Sequence, residues 1–132
     1  MVQEGDDGRV HRPSLSAGEE ACVEYYDPKD LARFGEVGKF RPDLAQKFFE
    51  YYGAATGTDG ALSRREKALI ALAIAHSKQC PYCIDAWTRG CLEAGSNPEE
   101  MTEAVHVAAA MDAGVTLVHG VQMHNHLDRH GA

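Results

Sequence analysis

The segment from Ser63 to Ala75 constrains the fold most, because a helix start signal stands directly before an apolar run. Ser63-Arg64-Arg65-Glu66 matches a capping box, in which the serine and glutamate side chains satisfy free backbone amides of a first helical turn. The run that follows, Ala68 to Ala75, is apolar on nearly all sides. We therefore predict a helix that is buried over most of its surface, and an oligomer would help to cover it.

Further helix signals follow one another along the chain, and no segment alternates polar and apolar residues as a half-buried strand would. Proline at first-turn positions and glycine after last turns mark several boundaries. Helices are predicted from Asp27-Pro28 to Gly35 or Gly38, from Pro42 past Tyr52, from Ser63 past Ala75, from Pro81 to Ala94, from Ser96-Asn97-Pro98 to a break at Gly114, and from Val115 to about Leu127. These signals predict an all-α fold of about six helices.

The length of 132 residues fits one domain, which we predict over residues 23–127, with a flexible tail at 1–22 and a short C-terminal tail at 128–132. The net charge of -7 argues against nucleic acid and against an anionic membrane as partners. No apolar run approaches the ~20 residues of a membrane span. Residues 1–10 contain no signal-peptide core, so we predict a cytoplasmic location.

The segment Cys80-Pro81-Tyr82-Cys83 places two cysteines three positions apart at the predicted start of a helix. A helix N-terminus lowers the pKa of a thiol, so such a pair suits reversible disulfide chemistry. Three other interpretations stay open: half of a zinc site, a soft-ligand site for arsenite or copper(I), and two buried cysteines that act as small apolar residues. Taken alone, the four residues resemble a glutaredoxin motif, but a helix precedes them where a thioredoxin-like fold needs a strand.

A metal site would need more ligands than this pair, since a closed zinc site takes four. His76, four residues before Cys80, is a candidate third ligand. Candidate fourth ligands lie near the C-terminus, at His119, His124, His126 and His130. Cys91 lies about 12 Å from Cys83 along one helix, too far for one ion to bridge both. Cys91 is then either a distant resolving thiol or a core residue, and we favour the core position.

The region around the dithiol resembles the alkylhydroperoxidase D / carboxymuconolactone decarboxylase family. The resemblance rests on Arg65 to Ala73, Cys80 to Cys83, Gly95 and Glu99-Glu100. Four further strings resemble a branch of peroxidase-like proteins associated with arsenosugar biosynthesis: Tyr25 to Leu31, Phe48 to Tyr52, Met101 to Ala110 and Leu117 to Gly120. The resemblance implies an alkylhydroperoxidase D-like helical bundle that assembles into dimers, trimers or hexamers.

The resemblance further implies that the cysteine pair reduces peroxides or disulfides, with Cys83 as the attacking thiolate and Cys80 as the resolving thiol. The position at the helix N-terminus alone would favour Cys80 as the thiolate. The expected partners are a peroxide or disulfide substrate and an external dithiol reductant. We predict no cofactor and no resident metal for this chemistry, and a link to arsenic or selenium metabolism. The alternative function is a metal- or arsenite-binding module that uses the same cysteines with His76.

The chain departs from the family at the proton relay, which in the peroxidase members consists of a glutamate and a histidine. The histidine position, four residues after the second cysteine, is Trp87, and the glutamate position, twelve residues before the first cysteine, is Ala68. His76 is the favoured substitute for proton transfer, because its predicted helix face points inward beside the dithiol.

Four further residues are candidates for supporting roles at the site. Glu66 lies near the missing family glutamate in sequence, and His106 falls on the predicted inner face of the helix after Pro98. Tyr82 and Trp87, within and just after the dithiol, are predicted to wall the site.

Overall fold

The computed structural model describes residues 25–132, and all regular secondary structure in that range is helical. A 3-10 helix, Pro28–Gly38, is followed by four α-helices: α1 (Pro42–Thr56), α2 (Arg64–Ser77), α3 (Pro81–Glu93) and α4 (Pro98–Arg129). The predicted all-α fold is confirmed. The predicted flexible tail, residues 1–22, lies outside the described residues.

Reciprocal side-chain hydrogen bonds fix the starts of α2 and α4. The backbone N–H of Glu66 donates to the Ser63 hydroxyl at 3.1 Å, and the N–H of Ser63 donates to the Glu66 carboxylate at 2.6 Å. Asn97 and Glu100 form the same arrangement at the start of α4. Each box satisfies two amides that a first helical turn leaves without an intrahelical partner. The predicted capping box is thus confirmed, and a second one accompanies it.

Helix α4 continues without interruption through Gly114, so the predicted break at that residue is wrong. A glycine in a helix interior costs only about 1 kcal/mol relative to alanine. Alanine has the highest helix propensity of any residue type, and three alanines stand at 108–110. Their preference for the helix outweighs the cost of one glycine. The described residues therefore form five helical elements where about six were predicted. The last helix also extends past Leu127 into the predicted C-terminal tail and ends at Arg129.

Helix α2 lies at the centre of the fold and packs against α3 and α4. The buried core of the described chain is one cluster on α2 and α3, formed by Ala68, Leu72 and Cys91, and Ala75 of α2 is buried outside this cluster. The opposite side of α2 is open, with Ile70 47% and Ile74 53% exposed. In a single chain, the predicted burial of α2 therefore holds for one face only.

The 3-10 helix and α1 pack beside each other through aromatic side chains. The ring of Phe34 contacts those of Phe48 and Phe49 edge to face, with centroids 6.1 and 5.1 Å away. The 3-10 helix also contacts α3. Helix α1 also contacts α2, and it reaches α3 through the hydrogen bond between Tyr52 and Trp87.

The first half of α4 is a packed element of the bundle, because Met101 contacts the core and Ser77 of α2 donates a hydrogen bond to Asp112. The second half carries exposed apolar side chains, among them Val115, Leu117, Val118, Val121 and Met123. By length and composition alone, α4 is long and apolar enough to cross a membrane. The helix is not an uninterrupted apolar run, because Asp112 lies within it, and the cytoplasmic location stays a prediction.

Candidate redox site

Cys80 and Cys83 form a disulfide at the start of α3, with Cα atoms 5.3 Å apart. Cys80 is the N-cap residue of the helix, and its Sγ atom accepts a hydrogen bond from the backbone N–H of Cys83 at 3.2 Å. Pro81 occupies the first turn, where its missing N–H costs nothing. Both sulfur atoms therefore lie where free amides and the helix dipole stabilise negative charge.

A tight connection from α2 fixes the position of Cys80. The N–H of Cys80 donates to the carbonyl of Ala75, and the N–H of Gln79 donates to that of His76, each at 3.0 Å. Gln79 adopts a φ of 54°, in the left-handed region that residues other than glycine seldom occupy. The chain therefore turns directly from α2 into α3, and α2 anchors the disulfide.

The disulfide lines a cavity of about 530 Å³ between the 3-10 helix, α1 and α3, which we call the redox cavity. Its lining residues are Asp30, Leu31, Arg33, Phe34, Val37, Phe49, Tyr52, Cys80, Tyr82, Cys83, Ala86 and Trp87. Most of these side chains are apolar or aromatic. Such an enclosure favours an apolar ligand oriented by a few polar groups.

The polar side chains of the redox cavity form two separate groups. At one side the Tyr82 hydroxyl donates to Asp30 at 3.4 Å, and Arg33 pairs with the same carboxylate at 3.4 Å. At the other side the indole N–H of Trp87 donates to the Tyr52 hydroxyl at 3.1 Å. Tyr82 and Trp87 thus take part both in the lining and in its hydrogen bonds.

The structure places His76 at a different cavity, of about 380 Å³, among side chains of α2, α3 and α4. Its Nδ1 atom lies 2.9 Å from the carbonyl oxygen of Leu72, an acceptor, so Nδ1 carries the proton of that hydrogen bond. Thr88 and Leu92 line this second cavity, whereas Cys83 and Trp87 line the redox cavity from another face of α3. The proton-transfer role of His76 stays a prediction, and this placement gives it no support.

The two weaker relay candidates lie on the surface. The N–H of Ser63 donates a hydrogen bond to the Glu66 carboxylate. This bond, together with the interaction of the Ser63 hydroxyl, holds the pKa of Glu66 below its usual value. Glu66 thus serves as a helix cap. His106 is exposed, so its predicted inner position is wrong. The inner side of α4 carries Met101 and Val105, and His106 is rotated about 100° from Val105.

Cys91 is fully buried in the core, as the sequence favoured. Burial raises the pKa of the Cys91 thiol, which keeps it protonated and unreactive. Within residues 25–132, no group of three or more His, Cys, Asp or Glu side chains is gathered in a way that could hold a metal ion. The metal-binding alternative therefore lacks a third ligand in the described part of a single chain.

Sequence reasoning did not identify Tyr52, Asp30 or Phe34 as residues of the site. Phe48, Phe49 and Tyr52 do stand out as an apolar helical stripe in the sequence. The stripe shows that α1 buries one face, but it does not show that this face closes over the cysteines.

Residues 42–123 match the model of the Carboxymuconolactone decarboxylase family. The matched range includes α1, α2, α3 and most of α4, and therefore the disulfide. A crystal structure of the apo form of a carboxymuconolactone decarboxylase family protein from Legionella pneumophila is similar in fold and sequence. It has a TM-score of 0.59 and 34% identity, and the similarity covers 71% of this chain and 84% of that one.

Two proteins without an assigned function are similar in sequence. "Uncharacterized protein 4 in cox locus" from Paracoccus denitrificans is 38% identical over 92 residues, which are 70% of this chain and 82% of that protein. An uncharacterized protein from Haemophilus influenzae is 40% identical over 53 residues, which are 40% of this chain and 46% of that protein. These similarities support the family as a whole and do not distinguish its branches. Membership of the arsenosugar-associated branch stays a prediction.

Proposed function

The chain belongs to the carboxymuconolactone decarboxylase family, and from this premise we propose that it is a thiol-dependent peroxidase or disulfide reductase, of which the peroxidase reaction is the first candidate. The observation that carries the proposal is the disulfide between Cys80 and Cys83, which opens onto an apolar cavity at a helix N-terminus. A substrate in the cavity therefore reaches the two sulfur atoms at which the disulfide forms and breaks.

In the proposed reaction the Cys83 thiolate attacks the terminal oxygen of a hydroperoxide. The O–O bond breaks, the alcohol leaves with a proton, and Cys83 becomes a sulfenic acid. The Cys80 thiolate then attacks the Cys83 sulfur, which forms the disulfide and releases hydroxide that is protonated to water. The two thiols are oxidised by two electrons, and the peroxide is reduced to alcohol and water.

An external dithiol completes the cycle. One of its thiolates attacks Cys83 of the disulfide and expels Cys80 as a thiolate, and its second thiol then displaces Cys83 to leave the reductant oxidised. The N–H of Cys83 that bonds to Cys80 Sγ stabilises negative charge on that sulfur, so Cys80 is the better leaving group. The assignment of Cys83 as the attacking and Cys80 as the resolving residue follows the family resemblance.

The shape and lining of the redox cavity favour a hydroperoxide with an apolar body over hydrogen peroxide. The cavity measures about 530 Å³, far larger than hydrogen peroxide needs, and its walls include Leu31, Phe34 and Phe49. An apolar body would gain about 25 cal/mol for each Å² of surface removed from water. A link to arsenic or selenium metabolism stays a prediction.

Turnover of cumene hydroperoxide with dithiothreitol as reductant tests this proposal. We expect catalysed turnover, lost in Cys80→Ser and in Cys83→Ser, and retained in Cys91→Ala, which removes a buried thiol outside the cavity. Turnover that survives both active-site substitutions would contradict the proposal. Stoichiometric zinc in protein purified without added metal, lost in Cys80→Ser, would instead assign the cysteines to a binding module.

We also propose that a second copy of the chain covers the exposed apolar surface of α4. Leu117 is 77% exposed and Val118 63%, and exposed apolar surface of this kind often marks an interaction site. We expect light scattering coupled to size exclusion to show a dimer or larger assembly, and Val118→Asp to shift it towards monomer. A monomeric wild-type protein at micromolar concentration would contradict this proposal.

A further inference from the structure

On the basis of the proposed peroxidase function, we propose that the Tyr52 hydroxyl is the proton donor of the redox cavity and that Trp87 is its positioning residue. Both side chains line the redox cavity together with Cys80 and Cys83. Tyr52 belongs to α1, and the cysteines and Trp87 belong to α3. The interface of these two helices thus brings a hydroxyl group to the same space as the reactive sulfurs.

The hydrogen bond between these residues sets the direction of the phenol proton. The indole nitrogen of Trp87 is a donor only, so the Tyr52 oxygen must accept at 3.1 Å. The hydroxyl proton therefore points away from the indole and remains available to an acceptor in the cavity. Trp87 holds the oxygen in place without consuming its proton.

The other polar side chains of the lining are already engaged with one another. The Tyr82 hydroxyl donates its proton to Asp30, and Arg33 pairs with Asp30 and with Glu36. Among the described residues that line the cavity, Tyr52 is thus the hydroxyl whose proton is not committed to a protein neighbour. The family's relay consists of a histidine and a glutamate, and this chain has Trp87 and Ala68 at those two positions. The proton for the leaving alkoxide must therefore come from another group.

The surroundings of Tyr52 hold its ring in one orientation. The ring lies 5.6 Å from that of Phe48 and 6.3 Å from that of Trp87, measured between centroids. The residue is half-buried. A hydroxyl that is fixed in apolar surroundings stabilises a developing negative charge without a prior rearrangement.

The proton transfers balance as follows. When the Cys83 thiolate breaks the O–O bond, the electron pair goes to the alkoxide, which takes the Tyr52 proton and leaves as alcohol. Alkoxides are far more basic than phenolates, so this transfer is favourable. The Tyr52 phenolate then takes the proton of the Cys80 thiol, and the Cys80 thiolate closes the disulfide. The hydroxide released takes up the proton that Cys83 lost when it ionised.

The test compares three electrophiles on the pre-reduced protein in a single turnover, with thiol loss measured by quenching and mass spectrometry. Cumene hydroperoxide expels a strongly basic alkoxide and needs a proton donor. Peracetic acid expels acetate, and iodoacetamide expels iodide, so neither needs one. Tyr52→Phe removes only the hydroxyl. Tyr51→Phe is the matched control, because Tyr51 is the adjacent tyrosine and is 74% exposed.

We expect Tyr52→Phe to slow the reaction with cumene hydroperoxide by about 100-fold, the lower range for general acid catalysis. Its rates with peracetic acid and iodoacetamide should match the wild-type rates, and Tyr51→Phe should match the wild type with all three. A Tyr52→Phe rate equal to wild type with cumene hydroperoxide would overturn the inference. So would an equal loss with all three electrophiles, which indicates a structural role.

A double-substitution cycle tests the positioning role of Trp87. Trp87→Phe should slow the reaction with cumene hydroperoxide by about fivefold, which is the contribution of one hydrogen bond. Its rate of reaction with iodoacetamide should stay at the wild-type value. The double variant should be no slower than Tyr52→Phe alone, since Trp87 acts through Tyr52. Losses that multiply would refute this coupling. A wild-type protein that reacts with iodoacetamide and with neither peroxide would instead overturn the proposed function, and the inference with it.

Discussion

The Sγ atom of Cys80 accepts a hydrogen bond from the backbone N–H of Cys83 across the first turn of α3. This places Cys80 as the side-chain cap of the helix, a position that serine, threonine or aspartate commonly fills. A thiolate at this position faces the free amides of the first turn, which stabilise its charge. The cap geometry and the redox role of the pair are therefore linked.

The first prediction follows from that bond. In the reduced protein the Cys80 thiol should have a pKa below the usual value of about 8.5, because ionisation strengthens a hydrogen bond from an amide. The pH dependence of iodoacetamide alkylation in Cys83→Ser reports Cys80 alone, and Cys80→Ser reports Cys83 alone. A Cys80 thiol that titrates at or above the usual value would contradict the stabilising role of the cap.

The local features of the site could be predicted from the sequence because they depend on neighbouring residues. The capping box of Ser63 and Glu66 and the position of Cys80 at a helix start are short-range patterns. The predicted break at Gly114 is wrong because that prediction considered the glycine alone, and the alanines at 108–110 favour the helix more than one glycine opposes it.

The arrangement of the site around the cysteines could not be predicted in the same way. Tyr52 and Trp87 are 35 residues apart and meet only through tertiary packing, which the local patterns of a single sequence do not reveal. Helix periodicity placed His76 on an inward face. It could not show that this face opens onto a second cavity between α2 and α4, on another side of α3 from the disulfide.

The second prediction concerns His76. Since its ring lines the other cavity and bonds to the Leu72 carbonyl, His76→Ala should leave the pH dependence of thiol alkylation unchanged. Its matched comparison is Tyr52→Phe, which we expect to affect the peroxide reaction. A rise in the pKa of either cysteine in His76→Ala would return this histidine to the proton-transfer role that the sequence suggested.

The third prediction concerns the core. Leu72 is 2% exposed, so Leu72→Ala should lower the free energy of unfolding by about 2–5 kcal/mol through lost burial and a cavity. Ile70→Ala on the open face of the same helix is the control, since Ile70 is 47% exposed. Urea denaturation measures both. Equal losses for the two variants would show that the open face of α2 is as tightly packed as the core.

The fourth prediction concerns acid stability. The Ser63 bonds lower the pKa of Glu66 in the folded protein, so the carboxylate stabilises α2 at pH values above about 4.3, the usual glutamate pKa. That contribution is lost as the pH falls through the lowered folded value. Glu66→Gln should therefore be less stable than wild type at pH 7, with a difference that shrinks towards pH 3. A difference that is constant or grows in acid would contradict the assignment.

The fifth measurement tests the central claim, that Cys80 and Cys83 are a redox pair that peroxide oxidises. Fully reduced protein receives one equivalent of cumene hydroperoxide, and its disulfides are mapped by mass spectrometry, with Cys91→Ala as the control for the buried thiol. We predict one Cys80–Cys83 bridge per chain, one equivalent of alcohol released, and the same result in Cys91→Ala. Peroxide that remains unconsumed while both cysteines stay reduced would contradict the account.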